Sequence, residues 1–176
     1  MLPWTHAAFG YLLLVCGGVV LGRRVSRAEL IAVLVATQLP DLVDKPLAWW
    51  FAALPSGRSL AHSLLFVVPL VGAVFAVSWH RNHPEVGVAF AVGYASHLLG
   101  DTYVALYYWR VEELTFLFWP LLAPYPYDDF SGFLDFASQL EVTQGFLVAG
   151  LLSIGFGVVF LVQFIRAPWW HTSRPD

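Results

Sequence analysis

The chain has 176 residues, 59% of them hydrophobic and only 12% charged, with a formal net charge of −3 and a mean hydropathy of +0.68. Soluble domains run nearer half apolar and a quarter charged, so the composition excludes an ordinary soluble fold and points to an integral membrane protein. With nine cations against twelve acids and no basic patch, a nucleic-acid partner is excluded as well.

A helix needs about 20 apolar residues to cross a bilayer core, and residues 4–22 are the first such stretch. No basic residue precedes this apolar run and "RRVSR" follows it, the reverse of a secretory signal, which predicts a retained helix. Its lone Cys16 leaves no disulfide framework. Residues 28–39 are apolar but short, and Pro40 with Asp41 predicts a second helix broken at Pro40. Residues 59–79 and 86–108 follow, joined by "HRNHPE", and residues 142–165 close the series. The expectation is an all-α integral membrane bundle of about five transmembrane helices, one domain over 1–176, with a loop over 110–141 outside the membrane.

Five crossings put the termini on opposite sides, and the cation distribution chooses between the sides. Arg23, Arg24, Arg27, Arg81, Arg166 and Arg174 collect on one side, Lys45, Arg58 and Arg110 on the other. The first side is expected to be cytoplasmic, which places the amino terminus outside and the carboxy terminus in the cytoplasm of a multi-pass cell-membrane protein. Trp49, Trp50, Trp109, Trp169 and Trp170 fall where interfacial aromatics anchor helix ends.

Ionisable groups inside a membrane are costly unless they pair, face a cavity or bind an ion. The candidates are His6, Asp41, Asp44, His62, His97 and Asp101. Counted from the cytoplasmic ends at ~1.5 Å per helical residue, His6, Asp41, His62, His97 and Asp101 all fall roughly 18 to 27 Å deep. In a core about 30 Å thick they form one layer in the outer leaflet. His97 and Asp101, at i and i+4, share a helix face; Asp41 and Asp44, at i and i+3, share one if the helix continues past Pro40. Imidazole nitrogen and carboxylate oxygen in this mixture are ligands for Zn, Mn or Fe, metals that make water acidic enough for hydrolysis. A carboxylate off the metal could serve as general base or hold an imidazole in the right tautomer.

With these residues in view, the pattern resembles a family of membrane-bound metal-dependent hydrolases typified by the LexA-regulated inner-membrane protein YdjM. That family carries an amino-terminal His, then "LPDxD", "HRGxTHS", "GYxSHxxxDxxT" and "LLWP". Here they read "WTHAAFG" with His6, "LPDLVD" with Asp41, "GRSLAHSLLF" with Arg58, His62 and Ser63, "GYASHLLGDT" with His97 and Asp101, and "FLFWPLL" with Trp119 and Pro120. The resemblance covers residues 1 to about 122. Two positions depart from it: Gly57 stands at the first His of "HRGxTHS", and the second Asp of "LPDxD" comes one residue late, as Asp44, about 100° further round a helix.

The resemblance implies a hydrolase with a divalent metal. His6, Asp41, His62, His97 and Asp101 are the expected ligands, and Asp101, Asp41 and Arg58 the expected catalytic groups, Arg58 facing an anionic substrate group. Membrane lipids are the expected surroundings, and an amphiphilic or lipid phosphoester entering from the outer leaflet is the expected substrate; the oligomeric state is left open. Two alternatives fit the same residues: a metal or proton transporter or channel, and a non-catalytic scaffold with a polar core.

Overall fold

Among residues 3–126 and 144–166, the part of the chain that the computed structural model describes, every regular element is helical. They are α1 (Pro3–Val20), α2 (Arg27–Trp49), α3 (Leu64–His80), α4 (Pro84–Tyr107), a 3-10 helix (Val111–Phe118) and α5 (Gln144–Arg166). The expected loop over 110–141 is described as far as residue 126; its remainder lies outside the described residues, as do Trp169 and Trp170.

α2 begins at a capping box. The Ser26 hydroxyl accepts the Glu29 N–H while the Glu29 carboxylate accepts the Ser26 N–H at 2.8 Å, satisfying two of the helix's open donors. The break expected at Pro40 does not occur: α2 runs 23 residues through Pro40 and Pro46. Each proline deletes one N–H and hence one i→i−4 bond. Yet the buried positions Glu29, Leu30, Val33, Ala36, Thr37, Pro40, Asp41 and Asp44 keep helical spacing straight across Pro40. Burial of that continuous stripe outweighs the missing bond, as it commonly does when neighbouring helices pack around a proline. Asp41 and Asp44 therefore do lie on one helical face.

The stretch 59–79, expected to be helical throughout, is helical only from Leu64. Ser63 is the N-cap, its hydroxyl accepting the Leu65 N–H at 3.2 Å. His62 thus belongs to the irregular segment before α3. Pro55 and Gly57, poor helix formers, lie in that segment.

α4 is the central helix. It packs on α1, α2, α3 and the 3-10 helix, while α5 packs on α1. Gly93 makes the closest crossing possible, because a Cβ there would lie 2.5 Å from the Val33 carbonyl oxygen and 2.9 Å from Ala36 Cβ on α2. One apolar cluster holds Tyr11, Leu14, Val15, Leu30, Val33 and Ala89; a second holds Ala36, Val67, Phe90, Tyr94 and Leu98.

The polarity of the bundle is inverted relative to a soluble protein. His6, Thr37, Asp44, His62, Ser96 and His97 are buried, whereas Val20, Ile31, Leu42, Val68, Leu99, Leu151 and Ile154 are exposed. Among the described residues, α1 is the helix long and apolar enough by itself to cross a membrane, and α3 is apolar over 17 residues. The buried carboxylates and imidazoles come from several parts of this bundle, among them His6 from α1, Glu29, Asp41 and Asp44 from α2, His62 from the segment before α3, and His97 and Asp101 from α4.

Candidate metal centre

Three elements and one irregular segment meet at one end of the bundle. α2 delivers Asp41 and Asp44, α4 delivers His97 and Asp101, α1 delivers His6, and the segment before α3 delivers His62. The segment is folded inward by Asp44, whose carboxylate accepts the backbone N–H groups of Ser59 (2.8 Å), Ala61 (2.8 Å) and His62 (3.2 Å). Tyr94 adds a further tie, donating its hydroxyl to the Ala61 carbonyl at 2.7 Å. The Ser63 hydroxyl donates to the Trp119 carbonyl, joining the segment to the chain beyond the 3-10 helix.

The imidazoles are held in defined tautomers. His62 Nδ1 is 2.7 Å from the Asp44 carboxylate, which already accepts three backbone donors and can only accept again. His97 Nδ1 is 2.7 Å from the Thr37 carbonyl, an obligate acceptor. Both Nδ1 atoms therefore carry a proton, and in the neutral rings both Nε2 atoms present lone pairs. These two Nε2 atoms face each other at 3.1 Å. Two neutral rings would set lone pair against lone pair there, so the contact is held either by a proton shared between the two Nε2 atoms or by a metal ion beside them.

Two carboxylates complete the set. Asp41 Oδ1 is 3.7 Å from His62 Nε2 and 3.9 Å from His97 Nε2; Asp101 Oδ2 is 3.5 Å and 3.8 Å from the same atoms. All four ligand atoms lie within 4.8 Å of one another, and all four residues are buried. Ligands about 2.0–2.1 Å from a tetrahedral ion lie about 3.3 Å apart, and these separations of 3.1–3.9 Å would have to shift by a few tenths of an ångström to reach it. Asp41, His62, His97 and Asp101 could therefore hold a metal ion.

The other expected residues surround these four. His6 is fully buried, with Nε2 3.2 Å from Asp101 Oδ1 and its ring stacked on His97 at 3.9 Å between centroids. Neither of its nitrogens is aligned for a hydrogen bond among the described residues, so the 3.2 Å approach is an ion-pair distance only. His6 thus adjoins the four-residue group through Asp101 and His97. Arg58 Nε is 3.1 Å from Asp101 Oδ2, and Lys45 Nζ is 2.6 Å from Asp41 Oδ2. Phe116 of the 3-10 helix, fully buried, meets the His62 ring edge-on at 6.1 Å and lies under the Arg58 guanidinium at 5.9 Å.

Sequence reasoning did not single out Asp44 as the His62 partner, nor Thr37, Tyr94, Phe116 and Lys45 as neighbours of the site. For Lys45 a signal was present, because i+4 from Asp41 is salt-bridge spacing. For Thr37 none was, because the contributing atom is a backbone carbonyl.

The YdjM inner membrane protein family matches residues 1–167, nearly the whole chain. No curated protein and no solved structure matches it. The chain belongs to the YdjM inner membrane protein family.

Proposed function

We propose that this member of the YdjM family is a multi-pass membrane hydrolase whose metal is held by Asp41, His62, His97 and Asp101. The observation that supports the reading is the pair of His62 and His97 Nε2 atoms, 3.1 Å apart and flanked by the carboxylates of Asp41 and Asp101. An ion such as Zn, Mn or Fe at such N and O donors supplies Lewis acidity and lowers the pKa of water. The chain's own groups do the rest. Asp44 and the Thr37 carbonyl keep both Nε2 atoms turned inward, the outer-shell role that tunes many metal sites. Asp101 Oδ1, the oxygen turned away from Arg58 and toward His6 at 3.2 Å, would accept the proton of a water, and a charged His6 at that ion-pair distance would hold the carboxylate's charge. Phe116 closes one side of the site against bulk water.

In this reading five helices cross the membrane, with the amino terminus outside and the site in the outer half. The exposed apolar side chains then face lipid, and the exposed aromatics Trp50, Phe51, Tyr107, Tyr108 and Trp109 form an interfacial rim around the site. Such a rim suits an amphiphilic phosphoester arriving from the outer leaflet.

Metal analysis of the detergent-purified protein, with His97→Ala and Asp101→Ala beside it, tests the centre. One equivalent in the parent and none in the variants is expected; a metal-free parent would overturn the reading. Hydrolysis of chromogenic phosphoesters and of extracted lipids, lost on chelation and restored by metal, tests the reaction. A loaded protein without such activity would leave a transporter or a scaffold in its place.

A further inference from the structure

Each carboxylate of the four-residue group is bound from its outer side by a cation. Lys45 holds Asp41 at 2.6 Å, and Arg58 holds Asp101 at 3.1 Å. The cations are the accessible partners: the Lys45 and Arg58 side chains are 23% and 26% exposed, against 10% for Asp41 and 3% for Asp101. They come from different elements, yet Lys45 packs against the segment that carries Arg58, since a Cβ on Gly57 would lie 3.3 Å from Lys45 Cγ. Each cation thus stands on the more exposed side of its own carboxylate, and the Lys45 stem adjoins the residue that precedes Arg58.

Charge accounting shows what this arrangement favours. Asp41, Asp44 and Asp101 against Lys45 and Arg58 leave one net negative charge when His6, His62 and His97 are all neutral. A divalent ion on Asp41 and Asp101 reverses that to one net positive charge and draws carboxylate charge away from Lys45 and Arg58. In a site of low dielectric an uncompensated charge is costly, so the loaded site favours an oxyanion that the two released cations can grip. Arg offers a planar fork of donors and Lys a compact ammonium, the pair of chemistries suited to phosphoryl oxygens.

We propose that Lys45 and Arg58 exchange partners on metal loading, leaving Asp41 and Asp101 to grip the phosphoryl group of the substrate. This rests on the metal-centre reading and names the groups that would bind the phosphoryl oxygens of its substrate. Metal and phosphate then bind cooperatively, and by linkage each raises the affinity of the other by the same factor. Removing either cation has opposite effects on the two ligands. Phosphate loses a donor, while the metal loses a competitor for its carboxylate.

The test is calorimetric titration of the detergent-purified full chain, with its metal and after chelation, using inorganic phosphate, acetate and a short-chain phosphatidic acid. Lys45→Gln and Arg58→Gln are expected to weaken phosphate binding at least tenfold and tighten metal binding at least threefold. Lys45→Arg, which keeps the charge, should retain most of the phosphate affinity and controls for misfolding. Phosphate affinity equal in parent and variants, or equal with and without metal in a protein that does bind metal, would overturn the exchange alone. A parent that binds no metal would overturn the metal centre and the exchange with it. Acetate binding as tight as phosphate would overturn the phosphoryl assignment. Tighter binding of the phosphatidic acid would support a lipid phosphate, and equal binding a water-soluble one.

Discussion

His62 and His97 face each other through Nε2 at 3.1 Å because each has its Nδ1 proton committed elsewhere, to Asp44 and to the Thr37 carbonyl. The pair comes from an irregular segment and from the middle of α4, and it turns two ordinary imidazoles into adjacent electron-pair donors. The centre is thus built by the groups behind the imidazoles as much as by the imidazoles themselves.

His97→Ala removes a donor from the four-residue group, and stoichiometric metal is expected to disappear. His6→Ala removes only the ring stacked on His97 and the neighbour of Asp101 Oδ1, so metal should stay, bound roughly tenfold more weakly, as for loss of an outer-shell partner. Metal content and competition with a chelator read both. Equal losses from the two variants would place His6 among the ligands.

Asp44 has two separable roles. Asp44→Asn keeps the shape but loses the charge that holds the His62 Nδ1 proton, and metal affinity should fall about 10- to 100-fold. Asp44→Ala also strands the N–H groups of Ser59, Ala61 and His62 that it accepts. At about 1–3 kcal/mol for each unsatisfied buried donor, it should cost about 3 kcal/mol or more. Thermal unfolding of the chelated proteins grades the roles: Asn, whose NH2 must face the Ala61 N–H, about 1–3 kcal/mol below the parent, and Ala lower still.

Tyr94→Phe deletes the hydroxyl that donates to the Ala61 carbonyl at 2.7 Å and leaves that acceptor without this donor. A loss of about 1–3 kcal/mol is expected. Because Ala61 adjoins His62, metal affinity should fall with it. A variant destabilised but unchanged in metal binding would show that Tyr94 supports the fold and not the site.

Gly93→Ala would force a Cβ against the Val33 carbonyl at 2.5 Å and Ala36 Cβ at 2.9 Å. Backbone cannot swing aside as a side chain can, so α2 and α4 must part, at about 1–3 kcal/mol. Gly72→Ala in α3 meets nothing within 4 Å and should be neutral or stabilising by up to about 1 kcal/mol. Melting temperatures in one detergent compare them directly. Metal loss in Gly93→Ala would follow, since Asp41 and His97 reside on the two helices it separates.

Much of the centre is legible in the amino-acid sequence. The i, i+4 spacing of His97 and Asp101 is a local property of a helix, and counting turns leads to the expectation of one level for His6, Asp41, His62, His97 and Asp101, four of which the structure brings within 4.8 Å of one another. That count placed His62 on a helix, whereas it lies in the irregular segment just before α3, with the Asp44 carboxylate as its anchor. The error did not matter to the layer, because the anchor returns His62 to the level of α2 and α4. Asp44 was judged by its offset from Asp41 alone, and that offset says nothing about a partner 18 residues away.

The amino-acid sequence by itself determined that this chain is apolar, helical and provided with a layer of His and Asp. Composition, hydrophobic run length and helical spacing act locally and leave their marks in neighbouring residues. Only the tertiary structure decided that α2 continues through Pro40, that Asp44 supports His62, and that Lys45 and Arg58 lie on the outer side of Asp41 and Asp101. Those outcomes depend on what packs against α2 and on which donors a folded loop brings to one carboxylate, and these distant partners meet only once the helices have assembled.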